Sequence, residues 1–331
     1  MTPAQLTALR DSLPAFTGVG LVPAALPDYC RYYGLDFHSR LPGVHHRIGT
    51  VDAGRHRLAV QRWEQRDATA ELLLVHGYFD HAGLYGKLIE FGLWQRCNVT
   101  IFDLPGHGLS SGEPAVIGEF AEYALAVRNV LAALPRRADR PLWVMAQSTG
   151  CAALVEYARH DPWPFAAAVL LAPLLRPRGW KTGRVLHTLV RPFRTSLKRK
   201  FVSNSADRAF LDFVRRDPLQ SQRLQLAWVG ALKRWLDGLP LADLGVGPAL
   251  VVQGDADRTV DWQYNVQAYC RLFPGSRVQM LAGAGHQLAN ESQDIRREYL
   301  SVVSAEAGAA GVPVAAAQAW QPGQGPDISG G

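Results

Sequence analysis

The sequence predicts an α/β protein with a mostly parallel central sheet that is covered by helices on both faces. Seven apolar, β-leaning runs occur along the chain, and segments with helical periodicity separate most of them. Strands that read as continuous apolar runs are typical of parallel sheets, because helices bury both of their faces. The runs are residues 58–63, 72–76, 99–103, 142–147, 167–172, 249–253 and 277–281, and the clearest helical patterns are residues 117–134, 151–160 and 261–273.

The alternation of strands and helices breaks between about residues 175 and 244. This segment has helical periodicity but no convincing strand, so we expect a helical lid, residues 176–244, inserted between two sheet strands. The predicted core is then residues 45–175 and 245–304, after an N-terminal extension, residues 1–44. Residues 305–331 are rich in Ala, Gly, Pro and Gln, and we expect them to be disordered because they offer little apolar surface.

Composition favours a globular protein of the cytoplasm. The 331 residues are 48% hydrophobic and 19% charged, which suits a full core. The four cysteines are widely scattered, which favours reduced thiols over disulfides or a metal site. The start of the chain lacks a basic segment followed by an unbroken apolar one, so we expect no secretory signal and a cytoplasmic location. A peripheral position at the inner face of the membrane is the alternative that the basic segment described next leaves open.

The positive charge is concentrated in the predicted lid. Residues 176–200 contain nine Lys or Arg and no Asp or Glu, and subtracting nine from the net charge of +6 leaves −3 for the rest of the chain. Such a segment is either a plain solvated face or a surface for anionic head groups and membranes. No nucleic-acid-binding module accompanies it, so we expect no nucleic-acid partner.

Chemically active residue types follow several of the predicted strands. Because the carboxyl ends of parallel strands meet at one edge of a sheet, side chains from these positions can converge on a ligand. They are His76, Gly77 and Tyr78 at the end of the second run, Asp103 at the end of the third, Ser148 after the fourth, Asp255 and Asp257 after the sixth, and His286 after the seventh.

Ser148 lies where an apolar run meets a helical segment, in the sequence Ala146-Gln147-Ser148-Thr149-Gly150. A nucleophilic serine on a sharp strand-to-helix turn requires small residues two positions before and after it, usually as G-x-S-x-G. Gly150 meets this requirement, and Ala146 adds only a methyl group. The alternative is a serine that caps the helix. The order Ser, Asp, His along the chain favours a catalytic triad.

The acid of such a triad has two candidates. Asp255 and Asp257 lie in the same turn after an apolar strand, and only one of them can orient the imidazole of His286. We favour Asp257, because an acid needs a few residues of turn to reach sideways. Asp255 could instead cap the turn or pair with Arg258.

Four segments together resemble the α/β-hydrolase superfamily, and within it the monoacylglycerol lipase/lysophospholipase group, also known as serine aminopeptidase S33-type hydrolases. HGYFDHAGLY is similar to that group's H-G-x-x-[DE]-H-x-x-x-Y, and FDLPGHGLSSG is similar to D-x-x-G-H-G-x-S. QGDADRTVD resembles G-x-x-D-x-x-V, and GAGHQLANE resembles G-x-x-H-x-[LM]-x-x-E. The departures are Ala146 for glycine, Leu84 where an arginine is common, and the composition of the lid.

The resemblance implies the α/β-hydrolase fold and a Ser148, Asp257 and His286 triad that needs no metal or organic cofactor. It implies an oxyanion hole of the Tyr78 and Thr149 backbone N–H groups. The residues that it assigns to supporting the loops around the site are His76, Gly77, His81, Asp103 and His107.

The lid suggests a lipid-type ester as the substrate, a monoacylglycerol or a lysophospholipid. Its apolar residues Leu186, Leu189, Val190, Phe193 and Leu197 follow helical spacing, interrupted at Pro192, with bases between them. One alternative is an aminopeptidase-like hydrolase of short peptides or amides, which needs a lid carboxylate such as Asp207, Asp212 or Asp217 near the pocket. Another is a non-enzymatic protein that binds through the basic lid.

Overall fold

The computed structural model describes residues 1–17, 22–199 and 201–314. An eight-stranded sheet runs in the order β1-β2-β4-β3-β5-β6-β9-β10. β2 pairs antiparallel with both β1 and β4, and all other pairs in this sheet are parallel. Its strands are β1 (Val44–Ala53), β2 (His56–Gln65), β3 (Ala70–Val75), β4 (Cys97–Phe102), β5 (Leu142–Gln147), β6 (Ala167–Leu171), β9 (Leu250–Gly254) and β10 (Arg277–Leu281). The predicted α/β architecture with a mostly parallel sheet is confirmed.

The two faces of the sheet belong to two separate hydrophobic cores. Along β3, Leu72 and Leu74 enter one core, while Leu73 and Val75 enter the other, as the two-residue period of a strand requires. Both sets are buried by helices, which is why the strand reads as an unbroken apolar run. The helices on the first face are α2 (Leu26–Tyr33), α4 (Gly86–Trp94) and α11 (Gln293–Ala309), and those on the second are α5 (Ala121–Ala133), α6 (Thr149–Ala158) and α10 (Trp262–Leu272).

All seven predicted runs are strands of this sheet, and the strand that the pattern did not reveal is β1. Its sequence, VHHRIGTVDA, mixes buried, half-buried and exposed positions at the edge of the sheet. It forms a hairpin with β2, in register from Val44 opposite Gln65 to Ala53 opposite His56. Because an edge strand buries only part of its surface, it lacks the continuous apolar run by which we recognised the central strands.

The inserted segment lies between β6 and β9 and is helical, but it also contains strands. Its elements are α7 (Trp180–Val190), β7 (Ser196–Lys198), α8 (Arg208–Arg216), β8 (Arg223–Gln225) and α9 (Leu226–Gly238). β7 and β8 form a short antiparallel pair, so the expectation of no strand in the lid is wrong. The helical spacing read through Leu197 is also wrong there, because α7 ends at Val190, just before Pro192, and Leu197 lies in β7.

The two ends of the chain contribute further helices. The N-terminal segment contains α1 (Pro3–Asp11) and α3 (Phe37–Arg40) besides α2. At the other end, α11 continues to Ala309, so the predicted disordered tail begins with helix, and residues 315–331 of that prediction lie outside the described residues. Within the described residues, no helix combines the length and the apolar character needed to cross a bilayer.

Candidate active site

Ser148 occupies the turn between β5 and α6, with φ +53° and ψ −112°. This is strained backbone for a non-glycine residue, and it places the side chain at the tip of a sharp bend. A Cβ on Gly150 would lie 2.8 Å from the His76 carbonyl oxygen and would also clash with that of Val75, so glycine is required there. Ala146 lies within β5 and is not among the positive-φ residues, so its methyl group fits the strand.

The predicted base and acid lie in line with Ser148. His286 Nε2 is 2.9 Å from Ser148 Oγ, and His286 Nδ1 is 2.7 Å from Asp257 Oδ2. The three side chains are 93–96% buried, since the exposed fractions are 7%, 4% and 5% for Ser148, His286 and Asp257. This arrangement lets the imidazole accept the hydroxyl proton at Nε2 while the carboxylate holds the proton at Nδ1.

Asp257 is held in place by the turn that follows β9. Its Oδ1 accepts hydrogen bonds from the backbone N–H groups of Thr259 (2.7 Å) and Val260 (3.2 Å), and its Oδ2 accepts one from Gln253 Nε2 at 3.1 Å. Asp255 is exposed and accepts a hydrogen bond from the Gly283 N–H at 2.7 Å. Of the two candidates for the acid, Asp257 is the one within hydrogen-bond distance of His286.

The electrostatics of the pair favour a polarised imidazole. Burial by itself would lower the pKa of His286, but the charge and hydrogen bond of Asp257 outweigh it, and the pKa is raised above the ordinary 6.5. Burial would raise the pKa of Asp257, but His286 and two backbone N–H groups lower it below its ordinary value. The carboxylate therefore stays ionised and can stabilise the imidazolium that forms when the serine is deprotonated.

Tyr78 and Thr149, the residues predicted to form the oxyanion hole, line the same cavity as Ser148. Within the described chain, no protein acceptor takes a hydrogen bond from the N–H of Tyr78 or of Thr149. Gly77 lets this loop approach closely, because a Cβ there would lie 3.2 Å from Ser148 Cβ. The Tyr78 ring stacks on Trp228 of the lid with centroids 3.9 Å apart, and its hydroxyl donates to the Ala115 carbonyl at 2.8 Å. These two contacts hold the Tyr78 side chain, and its backbone N–H stays available to a ligand.

Three of the predicted supporting residues hold the loop after β4 beside the serine. His76 accepts a hydrogen bond from the Leu104 N–H through Nε2 at 2.9 Å. Asp103 accepts from the N–H groups of Ala82 (2.6 Å) and Leu109 (2.7 Å). His107 Nδ1 donates to the Pro105 carbonyl at 2.9 Å. None of the three side chains is within hydrogen-bond distance of Ser148 or His286, so they act on loop geometry.

His81 connects the loop after β3 to the lid. Its Nε2 lies 2.7 Å from Asp217 Oδ2, and Asp217 Oδ1 accepts a hydrogen bond from the Tyr33 hydroxyl at 2.7 Å. Burial would lower the pKa of His81, yet Asp217 raises it, while burial would raise the pKa of Asp217 and His81 lowers it. The two therefore form a buried ion pair that joins the loop, the lid and the N-terminal segment.

The sequence did not reveal a second polar network behind the triad. Gln147 Nε2 donates to Gln287 Oε1 at 2.7 Å, and Gln287 Nε2 donates to Asp80 Oδ1 at 2.8 Å. The two glutamines directly neighbour Ser148 and His286 in sequence, and that adjacency was the available signal. The network ties the turns that carry both residues to the oxyanion loop.

Above Ser148 the lid encloses a largely apolar cavity of about 340 Å³. Tyr78, Ser148, Thr149 and His286 lie at its base. Apolar side chains from the core and from every element of the lid line the rest, among them Leu174, Trp180, Val190, Leu197, Trp228 and Leu232. Such a chamber accepts an apolar chain and excludes water from the reacting atoms.

Comparison with known proteins agrees with the fold. A model of the family "Serine aminopeptidase, S33" matches residues 66–293, more than half of the chain. The monoglyceride lipase of Mus musculus is 28% identical over 275 residues, covering 77% of this chain and 88% of that protein. A solved structure of a soluble variant of monoglyceride lipase from Saccharomyces cerevisiae, in complex with a substrate analog, superposes with a TM-score of 0.66 at 14% identity, covering 80% of this chain and 94% of that one.

A second solved structure, the monoacylglycerol lipase of Paleococcus ferrophilus, superposes with a TM-score of 0.60 at 21% identity and covers 74% of this chain and 96% of that one. At these identities the two superpositions establish the fold, and the family match establishes the kinship that the four sequence segments predicted. The chain belongs to the serine aminopeptidase S33 family, and it is a hydrolase built on the α/β-hydrolase fold.

Proposed function

We propose that this hydrolase cleaves carboxylic esters of lipids, monoacylglycerols or lysophospholipids, through an acyl-enzyme on Ser148. The observation that carries the proposal is the continuous series Asp257, His286 and Ser148 at the base of an apolar cavity, with contacts of 2.7 and 2.9 Å. The monoglyceride lipases among its relatives support the same substrate class.

In the proposed reaction, His286 Nε2 takes the proton of Ser148 as Oγ attacks the ester carbonyl carbon. The N–H groups of Tyr78 and Thr149 stabilise the oxyanion, an interaction for which one lost donor typically costs about 3–4 kcal/mol. His286 then gives its proton to the leaving alcohol, and the acyl group stays on Ser148. Water attacks this acyl-enzyme by the same sequence and releases the acid.

The aminopeptidase-like alternative finds less support. It needs a lid carboxylate to bind a substrate ammonium, and the three candidates have other partners. Asp207 accepts from Lys87 Nζ at 2.7 Å and Asp212 pairs with Arg215 at 2.8 Å, while Asp217 is bound by His81 and Tyr33. None of the three is among the cavity-lining residues. An apolar chamber favours an acyl chain over a charged N-terminus.

We further propose that α7 and the turn after it contact an anionic membrane. Val185, Leu186, Leu189 and Phe193 are large apolar residues with exposed fractions of 62%, 51%, 64% and 85%. Lys181, Arg191 and Arg194 are exposed in the same segment. Apolar residues flanked by bases are typical of helices that lie in a membrane interface. Leu186 also lines the cavity, so contact there would bring the lipid phase close to its wall.

Some of the basic residues of the lid have partners inside the protein. Arg176 stacks over the Tyr264 ring at 3.5 Å, Arg184 pairs with Asp237 at 3.0 Å, and Arg199 packs between two phenylalanine rings. Lys200 lies outside the described residues. The membrane proposal therefore rests on the exposed bases around α7.

The test is a substrate panel with wild-type protein and Ser148→Ala. The panel holds monoacylglycerol, lysophospholipid, short p-nitrophenyl esters and aminoacyl amides. We expect hydrolysis of the esters, faster for lipid esters, and loss of all ester hydrolysis and of fluorophosphonate labelling in Ser148→Ala, with an unchanged circular dichroism spectrum. Ester hydrolysis by the variant beyond a trace would remove Ser148 as the nucleophile, and a preference for aminoacyl amides would favour the peptidase reading.

A further inference from the structure

Three arginines line the cavity of the active site, and the proposed reaction uses none of them. Arg178 and Arg215 are exposed, whereas Arg199 is half-buried. Arg199 follows β7, and its side chain extends into the cavity, which Ser148 and His286 also line. The guanidinium carbon lies 4.0 Å from the centroid of Phe79 and 4.5 Å from that of Phe201. Phe79 directly follows Tyr78, so this positive charge lies beside the oxyanion loop.

Arg199 has hydrogen-bond donors to spare. Nη1 donates to Gln220 Oε1 at 2.6 Å and to the Ser221 carbonyl at 3.3 Å, which fixes the plane of the guanidinium. Across residues 1–17, 22–199 and 201–314, Nε and Nη2 have no acceptor, and no carboxylate oxygen lies within 4.0 Å of the guanidinium nitrogens. The carboxylate of Asp80 also lines the cavity, and it accepts hydrogen bonds from Gln287 Nε2 (2.8 Å) and the Tyr85 hydroxyl (3.2 Å).

A half-buried charged group in a largely apolar chamber is costly unless something binds it. Burial lowers the pKa of Arg199 to about 10, although Asp80, Tyr78 and Asp217 oppose that shift. The guanidinium therefore remains protonated at neutral pH. The two phenylalanine rings and the two hydrogen-bond acceptors hold the guanidinium rigidly. The N–H groups of Nε and Nη2 form one edge of its planar fork, the geometry that suits a carboxylate or phosphate.

We propose that Arg199 is a specificity residue that binds an anionic group of the substrate, so that the preferred ester carries a phosphate or carboxylate within the cavity. This inference rests on the proposed ester hydrolysis, because the bound anion is a substrate only if the protein cleaves esters. It narrows the proposed substrates from lipid esters in general to anionic lipid esters. The anion has two chemical sources: the phosphate of a glycerophosphate leaving group, as in a lysophospholipid, or a free carboxylate at the far end of a dicarboxylic acyl group.

Binding of two ligands without an ester bond tests the anion site independently of catalysis. The probes are dodecyl phosphate and the neutral 1-O-dodecylglycerol, titrated below their critical micelle concentrations at 0.15 M NaCl and followed by tryptophan fluorescence, since Trp180 and Trp228 line the cavity. We expect the phosphate to bind wild-type protein at least tenfold more tightly than the neutral ether. Arg199→Gln should abolish the difference, and Arg199→Lys should keep part of it.

Lys198→Gln is the matched control, because it removes one charge from the neighbouring, exposed residue. The ratio of the two dissociation constants should stay at the wild-type value in this variant. Equal affinity for both probes in wild-type protein, or an equal loss of the ratio in the Lys198 and Arg199 variants, would overturn the proposal, because general surface charge would then explain the result.

A kinetic arm identifies the source of the anion and separates this inference from the proposed function. It compares kcat/KM for lysophosphatidate with that for the monoacylglycerol of the same chain, and for the monoester of a dicarboxylic acid with that for its neutral diester. The pair with the larger Arg199-dependent ratio names the source. If no ester is hydrolysed but the binding difference persists, the proposed function fails and the anion site stands. If esters are hydrolysed and the two probes bind with equal affinity, the proposed function stands and the anion site fails.

Discussion

Replacing Asp257 by asparagine should lower kcat on a short p-nitrophenyl ester by about 10⁴, or about 5.5 kcal/mol in activation free energy. The surroundings of the carboxylate decide how the amide will sit. Oδ1 accepts from two backbone N–H groups, those of Thr259 and Val260, so the amide oxygen will keep that place. The amide NH₂ must then point at His286 Nδ1, where Oδ2 now lies at 2.7 Å.

An NH₂ group at that position makes Nδ1 an acceptor and leaves the imidazole proton on Nε2. Nε2, 2.9 Å from Ser148 Oγ, can then no longer accept the serine proton. The variant also loses the hydrogen bond from Gln253 Nε2, since two donors face each other. We therefore expect slow turnover with a retained fold and near-normal substrate binding. The slow chemical step is measured as the single-turnover rate and as the rate of fluorophosphonate labelling.

Asp255→Asn is the matched control, because an asparagine there keeps a carbonyl oxygen for the Gly283 N–H. We expect it to change kcat by less than about threefold, as substitutions outside the reacting groups commonly do. The reasoning is refuted if Asp257→Asn stays within tenfold of wild type, or if Asp255→Asn loses as much.

Three further predictions concern charge. The kcat/KM of wild type should rise with pH, with an apparent pKa above the ordinary 6.5, because His286 must be neutral to act as base and Asp257 raises its pKa. In Asp257→Asn this rise should move to lower pH. An unchanged pH profile in that variant would assign the rise to a group other than His286. Asp217→Asn should lower the free energy of unfolding, measured in urea, by about 3–5 kcal/mol, because it leaves the buried His81 without its partner, whereas the exposed Asp212→Asn should cost under about 0.5 kcal/mol; equal effects would contradict this. The protein should sediment with anionic vesicles at low salt but not with zwitterionic ones. Replacing three lid bases, each of which contributes about 1 kcal/mol of binding free energy, should weaken binding to anionic vesicles roughly 100-fold. Equal recovery with both kinds of vesicle, or an equal loss of binding on replacing three exposed bases of the core, would make the lid an ordinary solvated face. The lid variant carries glutamine at Lys181, Arg191 and Arg194, and the core control carries it at Arg57, Arg66 and Arg136.

The core of the fold could be predicted because its signals are local. A central strand such as β3 buries both faces, so Leu72, Leu73, Leu74 and Val75 are all apolar wherever the rest of the chain goes. The turn at Ser148 is local too, since it needs small residues within two positions. The sequence by itself therefore determined seven strands, the lid's place in the chain and the positions at which a nucleophile, an acid and a base could meet.

Tertiary structure decided what depends on distant partners. The edge strand β1 is defined by pairing with β2 and not by an apolar run, and β7 and β8 are three-residue strands separated by a helix. The sequence favoured Asp257 over Asp255 but left both open, and the folded chain places Asp257 Oδ2 2.7 Å from Nδ1 of an imidazole twenty-nine positions away. Arg199 looked like the bases beside it in sequence. It differs from them because Phe79 and Phe201, brought together by folding, pack against its guanidinium at the half-buried edge of the cavity. A contact between distant segments leaves no mark in local composition.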